Sequence, residues 1–413
     1  DSREGDTFKK KISVTSKKGA MIDNFSAAIA RRIEAIANKA NGLVMDRLPT
    51  SPTGRPSTPL TQYLSTCSLK DQLRFMSYRV HRCILHFIVS ADGNTYFTYS
   101  TFLDIGQTST TTKRINANVH LKLDFLQPSG SFKIRGIGRS VSEAVERGGA
   151  REIVSSSGGN AGLAASYASM MHEVPITVVV PETTKDHVRG LLSSYGAKVL
   201  VHGSEWDSAN DNATALAKER DAFMIHPFEG ESTEIGHSSV VKEIQDQFTD
   251  SSAPDIIVTV CGGGGLLAGI LRGVRDAGWS QDVEIVACET EGAKSLSAAI
   301  EAKTLVTLPA ITSIATSLGS KIVSKSVLDR VLSDKEIVRS YVSSDRVALQ
   351  GCAELLRTDR ILVEPACGIA IGYLLENADS LRGKNIVVEI CGGSGMSMSL
   401  FLEYCKLHDV EIE

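Results

Sequence analysis

Gln127-Pro128-Ser129-Gly130-Ser131-Phe132-Lys133 places one lysine after a turn of small residues that ends in an aromatic ring. Pro, Ser and Gly punctuate the chain there, and the preceding Val119 to Phe125 reads as a short strand. Lys133 therefore falls on the loop and helix start beyond that strand. A lysine whose surroundings lower its pKa is a nucleophile toward carbonyl groups. A solvated surface lysine is the plain rival, and for a lysine taken at random exposure favours it heavily. The residues around Lys133 have to decide between the two.

Working outward, the chain after residue 113 alternates short apolar runs with helical segments. Ile153-Val154 precedes a glycine-rich turn and an alanine-rich helix. Ile176 to Val180 precedes a helix from about Thr184, Val199 to Val201 precedes Ser208 to Lys218, and Ala222 to Ile225 follows. A second series runs through Ile256 to Val260, a helix from Leu266, Glu284 to Cys288, and finally Asn385 to Ile390. Strands that are apolar throughout need cover on both faces, which calls for parallel sheets and a doubly wound α/β fold. The expected division is a small α/β domain over 132–227 and a large one combining 113–131 with 228–413.

The chain before residue 113 reads differently. Ile22 to Ala40 has the spacing of an amphipathic helix. Leu48 to Leu60 carries four prolines among Ser, Thr and Gly and reads as a linker. Residues 61–112 are poorly periodic and hold no motif that carries chemistry, so 1–112 is expected to be an N-terminal extension and insertion, poorly packed.

A chain of 413 residues can bury a large core. With 44 basic against 48 acidic residues the net charge is -4, which argues against a nucleic-acid partner. No run of about eighteen uncharged apolar residues occurs, so no membrane span is expected. The eight cysteines form no C-x-x-C pair and no cluster with histidine, which disfavours a zinc site or a disulfide framework. Reduced thiols in a cytoplasmic protein fit best.

Three glycine-rich turns each follow a strand and precede a helix: Ser156 to Gly162, Gly262-Gly263-Gly264-Gly265, and Gly392-Gly393-Ser394-Gly395. Glycine lets backbone approach a ligand closely, and a helix N-terminus offers free N–H groups to an anion. One such turn is weak, because every α/β protein has tight turns. Three at strand ends fit a site at the carboxyl edge of the sheet. The spaced dinucleotide fingerprint G-x-G-x-x-G is missing, so a single phosphate suits the four glycines better than a pyrophosphate. A carbonyl cofactor such as pyridoxal phosphate is the natural partner of a lysine in this company.

At this point the residues resemble a known family, the pyridoxal-phosphate enzymes of the tryptophan-synthase-β fold type, and within it the L-serine/L-threonine dehydratases. The likeness runs from about Val119 to Leu400. It is carried by Lys122 to Gly136 around the lysine, Ser157 to Ala161 as the substrate loop, Gly262 to Leu266 as the phosphate loop, Leu362 to Gly368, and Cys391 to Ser394. The resemblance implies that Lys133 holds the cofactor as a Schiff base and then removes the Cα proton. It implies Phe132 and Ala293 on the two faces of the ring, Asn160 on the ring hydroxyl, and Gly262, Gly263, Gly264, Gly265 and Leu266 on the phosphate. Ser157, Gly158, Gly159, Asn160 and Ala161 would receive the substrate carboxylate.

Cys391 would face the pyridine nitrogen. A thiol is an uncharged partner and does not keep that nitrogen protonated, which favours β-elimination. Serine would give pyruvate and threonine 2-oxobutyrate, each with ammonia. Without its Gly-Gly-Ser neighbours Cys391 would read as a small buried hydrophobe. Glu289 resembles the family's acid near a cation; potassium held largely by backbone carbonyls is the expectation. His226 and His237 read as structural. A small amino acid is the expected substrate and a homodimer the expected assembly. The alternatives are another enzyme of this fold type (serine racemase, D-serine dehydratase or cysteine synthase-like) and a catalytically dead homologue. The chain departs from the family in one place: Thr58-Pro59-Leu60 lies 73 residues before Lys133 (133 minus 60), where about twenty residues before the leading strand is usual.

Overall fold

The computed structural model describes residues 115–248, 253–333 and 335–412, together with the backbone of three short strands in 85–104. The helix expected over Ile22 to Ala40 and the linker Leu48 to Leu60 lie outside the described residues, as does most of the segment expected to be poorly packed. Within that segment β1 (Leu85–Val89) pairs antiparallel with β2 (Thr95–Tyr99).

The first α/β layer is a four-stranded sheet of β5 (Ile153–Ser155), β6 (Ile176–Val180), β7 (Lys198–Val201) and β8 (Phe223–Ile225). Its order is β7-β6-β5-β8, parallel throughout. Parallel neighbours need crossovers; here these are α2 (Asn160–Met171), α3 (Asp186–Ser194) and α4 (Trp206–Arg220), with α1 (Lys133–Glu146) ahead of β5. The pleat of β6 shows why its Ile-Thr-Val-Val-Val run is apolar on both faces. Val178 joins the core containing Ile137 and Ala164, while its neighbour Val179 joins a second core made with Ala209 and Ala213.

The larger sheet holds β3 (Phe102–Asp104), β4 (Asn118–Leu123), β9 (Ile256–Val260), β10 (Glu284–Thr290), β11 (Ile337–Ser343) and β12 (Asn385–Ile390). Its order is β11-β10-β9-β12-β4-β3. All its pairs are parallel except β3 with β4, an antiparallel edge that the parallel expectation did not include. Its helices are α5 (Glu231–Gln247), α6 (Gly265–Asp276), α7 (Ser295–Ala302), α8 (Lys325–Val331), α9 (Asp345–Asp359), α10 (Pro365–Glu376) and α11 (Met398–Leu407). None of the described helices is long and apolar enough to cross a membrane. The order matters for the site because β9, β12 and β4 are adjacent. Their carboxyl ends carry the four-glycine turn, the Cys391 turn and the lysine turn, side by side.

Beneath the lysine turn lies a buried charge cluster. The Arg135 guanidinium grips Asp124 at 2.6 and 2.7 Å and Glu243 at 2.7 Å through two nitrogens. Lys122 Nζ reaches Glu243 at 2.6 Å and donates to Gln247 at 3.0 Å. Burial pushes the Glu243 carboxyl up, but Arg135 and Lys122 outweigh it and hold its pKa at about 2. A fifth group, Glu389, stands opposite Lys122 in the β12–β4 register; it is wholly buried, and neither of its oxygens has a hydrogen-bond partner among the described residues. Burial, and then Asp124, push its pKa well up, so it is held neutral. Two cations therefore face two carboxylates and one uncharged acid. Arg135→Met would strand the buried Asp124 carboxylate and leave Glu243 to Lys122 alone, and we expect a loss of about 3–5 kcal/mol. Chemical denaturation measures it, and an unchanged midpoint and slope would contradict the role assigned to this cluster.

Candidate active site

The lysine turn and the Cys391 turn are stitched together by backbone. Phe132 N–H donates to Cys391 O at 2.9 Å, and Gly393 N–H donates to Gly130 O at 2.8 Å. Between these bonds Ser131 and Gly392 form a single antiparallel bridge. Gly130 and Gly392 both sit at φ +77°, a left-handed conformation that glycine adopts without strain. A side chain at Gly392 would meet Phe125 Cα at 2.7 Å. The glycines quoted in the sequence are thus partly requirements of this close approach.

Lys133 opens α1 and is partly buried. Its Nζ donates to Pro227 O at 2.7 Å. Withdrawal from water lowers its pKa to about 8, only partly opposed by Cys391. The Phe132 ring, which the lysine amine overlies at 5.1 Å, packs on His237 with ring centres 5.0 Å apart. His237 is fully buried, has no hydrogen bond to either ring nitrogen among the described residues, and is kept neutral by burial. It is a support under Phe132. His226 accepts from Glu229 N–H at 2.9 Å and fixes the turn that carries Pro227 and Phe228. Both histidines thus sit in structural settings.

The four-glycine turn follows β9 and runs into α6. Among the described residues, no group accepts a hydrogen bond from the N–H of Gly262, Gly263 or Gly264, and Gly264 has φ +95°. A Cβ at Gly263 would lie 2.6 Å from the Phe228 ring. This is a side-chain-free nest of N–H groups at a helix start, suited to an anion. Ala293 is fully buried in the core against which Phe132 packs. On the other sheet, Ser157 Oγ accepts from Gly159 N–H at 3.3 Å, and Gly159, Asn160 and Ala161 open α2.

Asn160 links the two sheets. Its Oδ1 accepts from Ser394 N–H at 3.1 Å, while its Nδ2 lies 3.4 Å from each oxygen of Glu364. The Cys391 thiol is buried, with its Sγ 2.7 Å from Cys367 Sγ; that contact first, and burial second, push its pKa well above the ordinary thiol value. It is a neutral thiol.

The structure places Glu289 at the end of β10, with its carboxylate accepting from Leu296 N–H and Ser297 N–H, both at 2.8 Å. Both oxygens cap the start of α7, and no group of three His, Cys, Asp or Glu gathers as a metal site among the described residues. Sequence reasoning gave no role to Pro227, Phe228, Ser317, Cys367 or Glu364. Pro227, Phe228 and Ser317 carry no recognisable pattern, whereas Glu364 and Cys367 stood in plain view inside the segment Leu362 to Gly368 that carries the resemblance. A cavity of about 280 Å³ lined by Arg275, Asp329, Arg330, Ser333, Lys335 and Glu336 shares no residue with this site.

The family described as "Pyridoxal-phosphate dependent enzyme" matches residues 101–392. The chain belongs to that family. It is 42% identical over 299 residues to "Serine dehydratase-like" from Homo sapiens, covering 70% of this chain and 89% of the relative. It is 40% identical over 300 residues to "L-serine dehydratase/L-threonine deaminase" from Bos taurus, covering 70% and 90%. Among solved structures, a fungal L-serine ammonia-lyase from Rhizomucor miehei superposes with a TM-score of 0.69 at 32% identity, covering 75% of this chain and 98% of that one.

The residues present fit the family's cofactor. N–H groups left unpaired at the start of α6 suit its phosphate, and a lysine amine in a dry setting suits its aldehyde. The lowered pKa sets a pH dependence for cofactor capture. Below about 8 the Lys133 amine is mostly protonated and cannot attack, so attachment of pyridoxal phosphate should speed up as pH rises and level off past about 8. Stopped-flow absorbance on cofactor-stripped protein reads this, and a rate still climbing at the usual lysine pKa would contradict the dry amine.

Proposed function

We propose that this chain removes water from L-serine, giving pyruvate and ammonia, and acts likewise on L-threonine to give 2-oxobutyrate and ammonia. The observation that carries the reading is the neutral, buried Cys391 thiol hydrogen-bonded through its backbone to the lysine turn. The names of the relatives point the same way.

In this reading Lys133 holds the cofactor, and the N–H groups of Gly262 to Leu266 hold its phosphate. When bound, the cofactor supplies a sink for the electron pair left at Cα. Phe132 and Ala293 would bound the ring, and Asn160 would donate to its hydroxyl. Ser157 and the N–H groups at the start of α2 fix the substrate carboxylate, which is the polarity that a helix N-terminus favours. The Lys133 amine would take the Cα proton; an amine with a pKa of about 8 can accept it at neutral pH and give it up again. Cys391 would add no charge at the ring nitrogen, and the proton that Lys133 takes from Cα would leave with the β-hydroxyl as water instead of returning to carbon. The released enamine hydrolyses to the keto acid and ammonia, which balances the reaction.

The test is keto-acid formation from L-serine, L-threonine and D-serine by the wild type and by Lys133→Ala. We expect activity on the L-amino acids and a loss of at least about a thousandfold in the variant. Activity that survives the substitution would overturn the mechanism.

A homodimer and a potassium ion near Glu289 belong to the same proposal; light scattering tests the first. The second has a pH signature. Burial raises the Glu289 carboxyl from 4.5 to about 7, against the pull of the Leu296 and Ser297 amides. The stability tied to its neutral form is full below about 4.5 and fades as pH rises through about 7. A cation beside the ionised group would restore part of it. We therefore expect potassium to raise the melting temperature more at pH 8 than at pH 5 (about those values), and Glu289→Gln to abolish the difference. Equal shifts at both pH values would remove the cation from this place.

A further inference from the structure

Glu364 is a buried acid beside the site that the mechanism above leaves unused. It precedes Pro365 at the start of α10, is 4% exposed, and meets three other segments. Gly395 N–H donates to its Oε1 at 2.7 Å, and the Ser317 hydroxyl donates to its Oε2. The third donor is Asn160 Nδ2, 3.4 Å from each oxygen. Gly393 is at φ +144°, and any Cβ there would collide with the carboxylate. The glycine turn beyond Cys391 is therefore moulded around Glu364.

The Asn160 amide is fixed at both ends. Its oxygen accepts from Ser394 N–H and its nitrogen faces Glu364. An amide turned the other way would set oxygen against carboxylate, and would leave Ser394 N–H facing an NH₂ group. A carboxylate accepts only, so it selects one of the two orientations. Both Glu364 oxygens lie 3.4 Å from that nitrogen, so one N–H can serve the pair and leave the second for another acceptor.

We propose that Glu364 is a positioning residue that orients Asn160 so that its NH₂ group, not its oxygen, is offered to the cofactor's ring hydroxyl. This rests on the assignment of Asn160 to the ring in the function proposed above. The alternative role is a latch that merely joins the two sheets. Glutamine at 364 separates them, because its own NH₂ group can face Asn160 and permits the amide to turn over.

The experiment compares the purified, cofactor-loaded wild type with Glu364→Gln and with the double variant Glu364→Gln/Asn160→Asp. The readouts are the visible absorption spectrum, cofactor retention on dialysis, melting temperature, and kcat and KM for L-serine. The double variant restores a donor–acceptor pair between the sheets but offers the ring no N–H. We expect Glu364→Gln to retain the fold, lose cofactor about tenfold or more readily, as for a lost hydrogen bond to a charged group, shift intensity out of the visible band, and lower kcat with KM little changed. The double variant should not recover the spectrum or the retention. Either of two results overturns the proposal: a Glu364→Gln protein with wild-type spectrum and retention, or a double variant that regains both. Should Glu364→Gln not fold, Ser317→Ala, which removes one donor that holds the carboxylate in place, must shift the spectrum in the same direction, and an unshifted spectrum overturns the proposal. A wild type that shows the visible band but makes no keto acid defeats the proposed elimination and leaves the role of Glu364 intact.

Discussion

The short antiparallel bridge between Ser131 and Gly392 is the constraint on which the site depends. Its flanking hydrogen bonds, Phe132 to Cys391 and Gly393 to Gly130, join turns that stand about 260 residues apart in sequence (392 minus 131 is 261). Neighbouring parallel strands β4 and β12 bring the turns together, and left-handed glycines let the backbones touch. The bridge sets the lysine and the thiol beside each other before any side-chain choice is made.

Below the bridge, Arg135 works as an anchor for the first turn of α1. Its two nitrogens per carboxylate form the planar fork that lysine could not reproduce. One anion comes from the residues just after β4 and the other from α5, so the helix that presents Lys133 is tied on two sides. A buried cluster of this kind is costly to assemble and more costly to break. What it contributes here is a fixed direction for the lysine side chain, with a neutral Glu389 accepted as the fifth member.

Much of this was legible in the sequence. The strands Ile176–Val180, Ile256–Val260 and Asn385–Ile390 are where their apolar β-branched runs place them, because a short β-branched run bounded by turn residues reads as a strand covered on both faces. Three glycine turns at the carboxyl edge were legible for the same reason. The helices α5 and α7 to α11, and strand β11, were not drawn from the pattern. α10 is apolar on nearly every side, which erases the period that marks a helix. β11 interrupts its apolar residues with the pair Arg339-Ser340 at a half-exposed edge. Glu364 and Glu389 escaped for a different reason: an acid within an apolar run gains a role only from what the fold sets against it. Glu289 was found, but the helix start that its carboxylate caps is visible only in three dimensions.

The central claim is that Lys133 is the residue that carries the cofactor. Reduction of the cofactor-loaded protein with borohydride, followed by proteolysis and mass spectrometry, tests it directly, since reduction freezes the covalent link on whichever amine holds it. The account predicts a pyridoxyl group on the peptide containing Lys133 and on no other lysine. A label on a different lysine, or no label on a protein that nonetheless binds the cofactor and turns over L-serine, would contradict it.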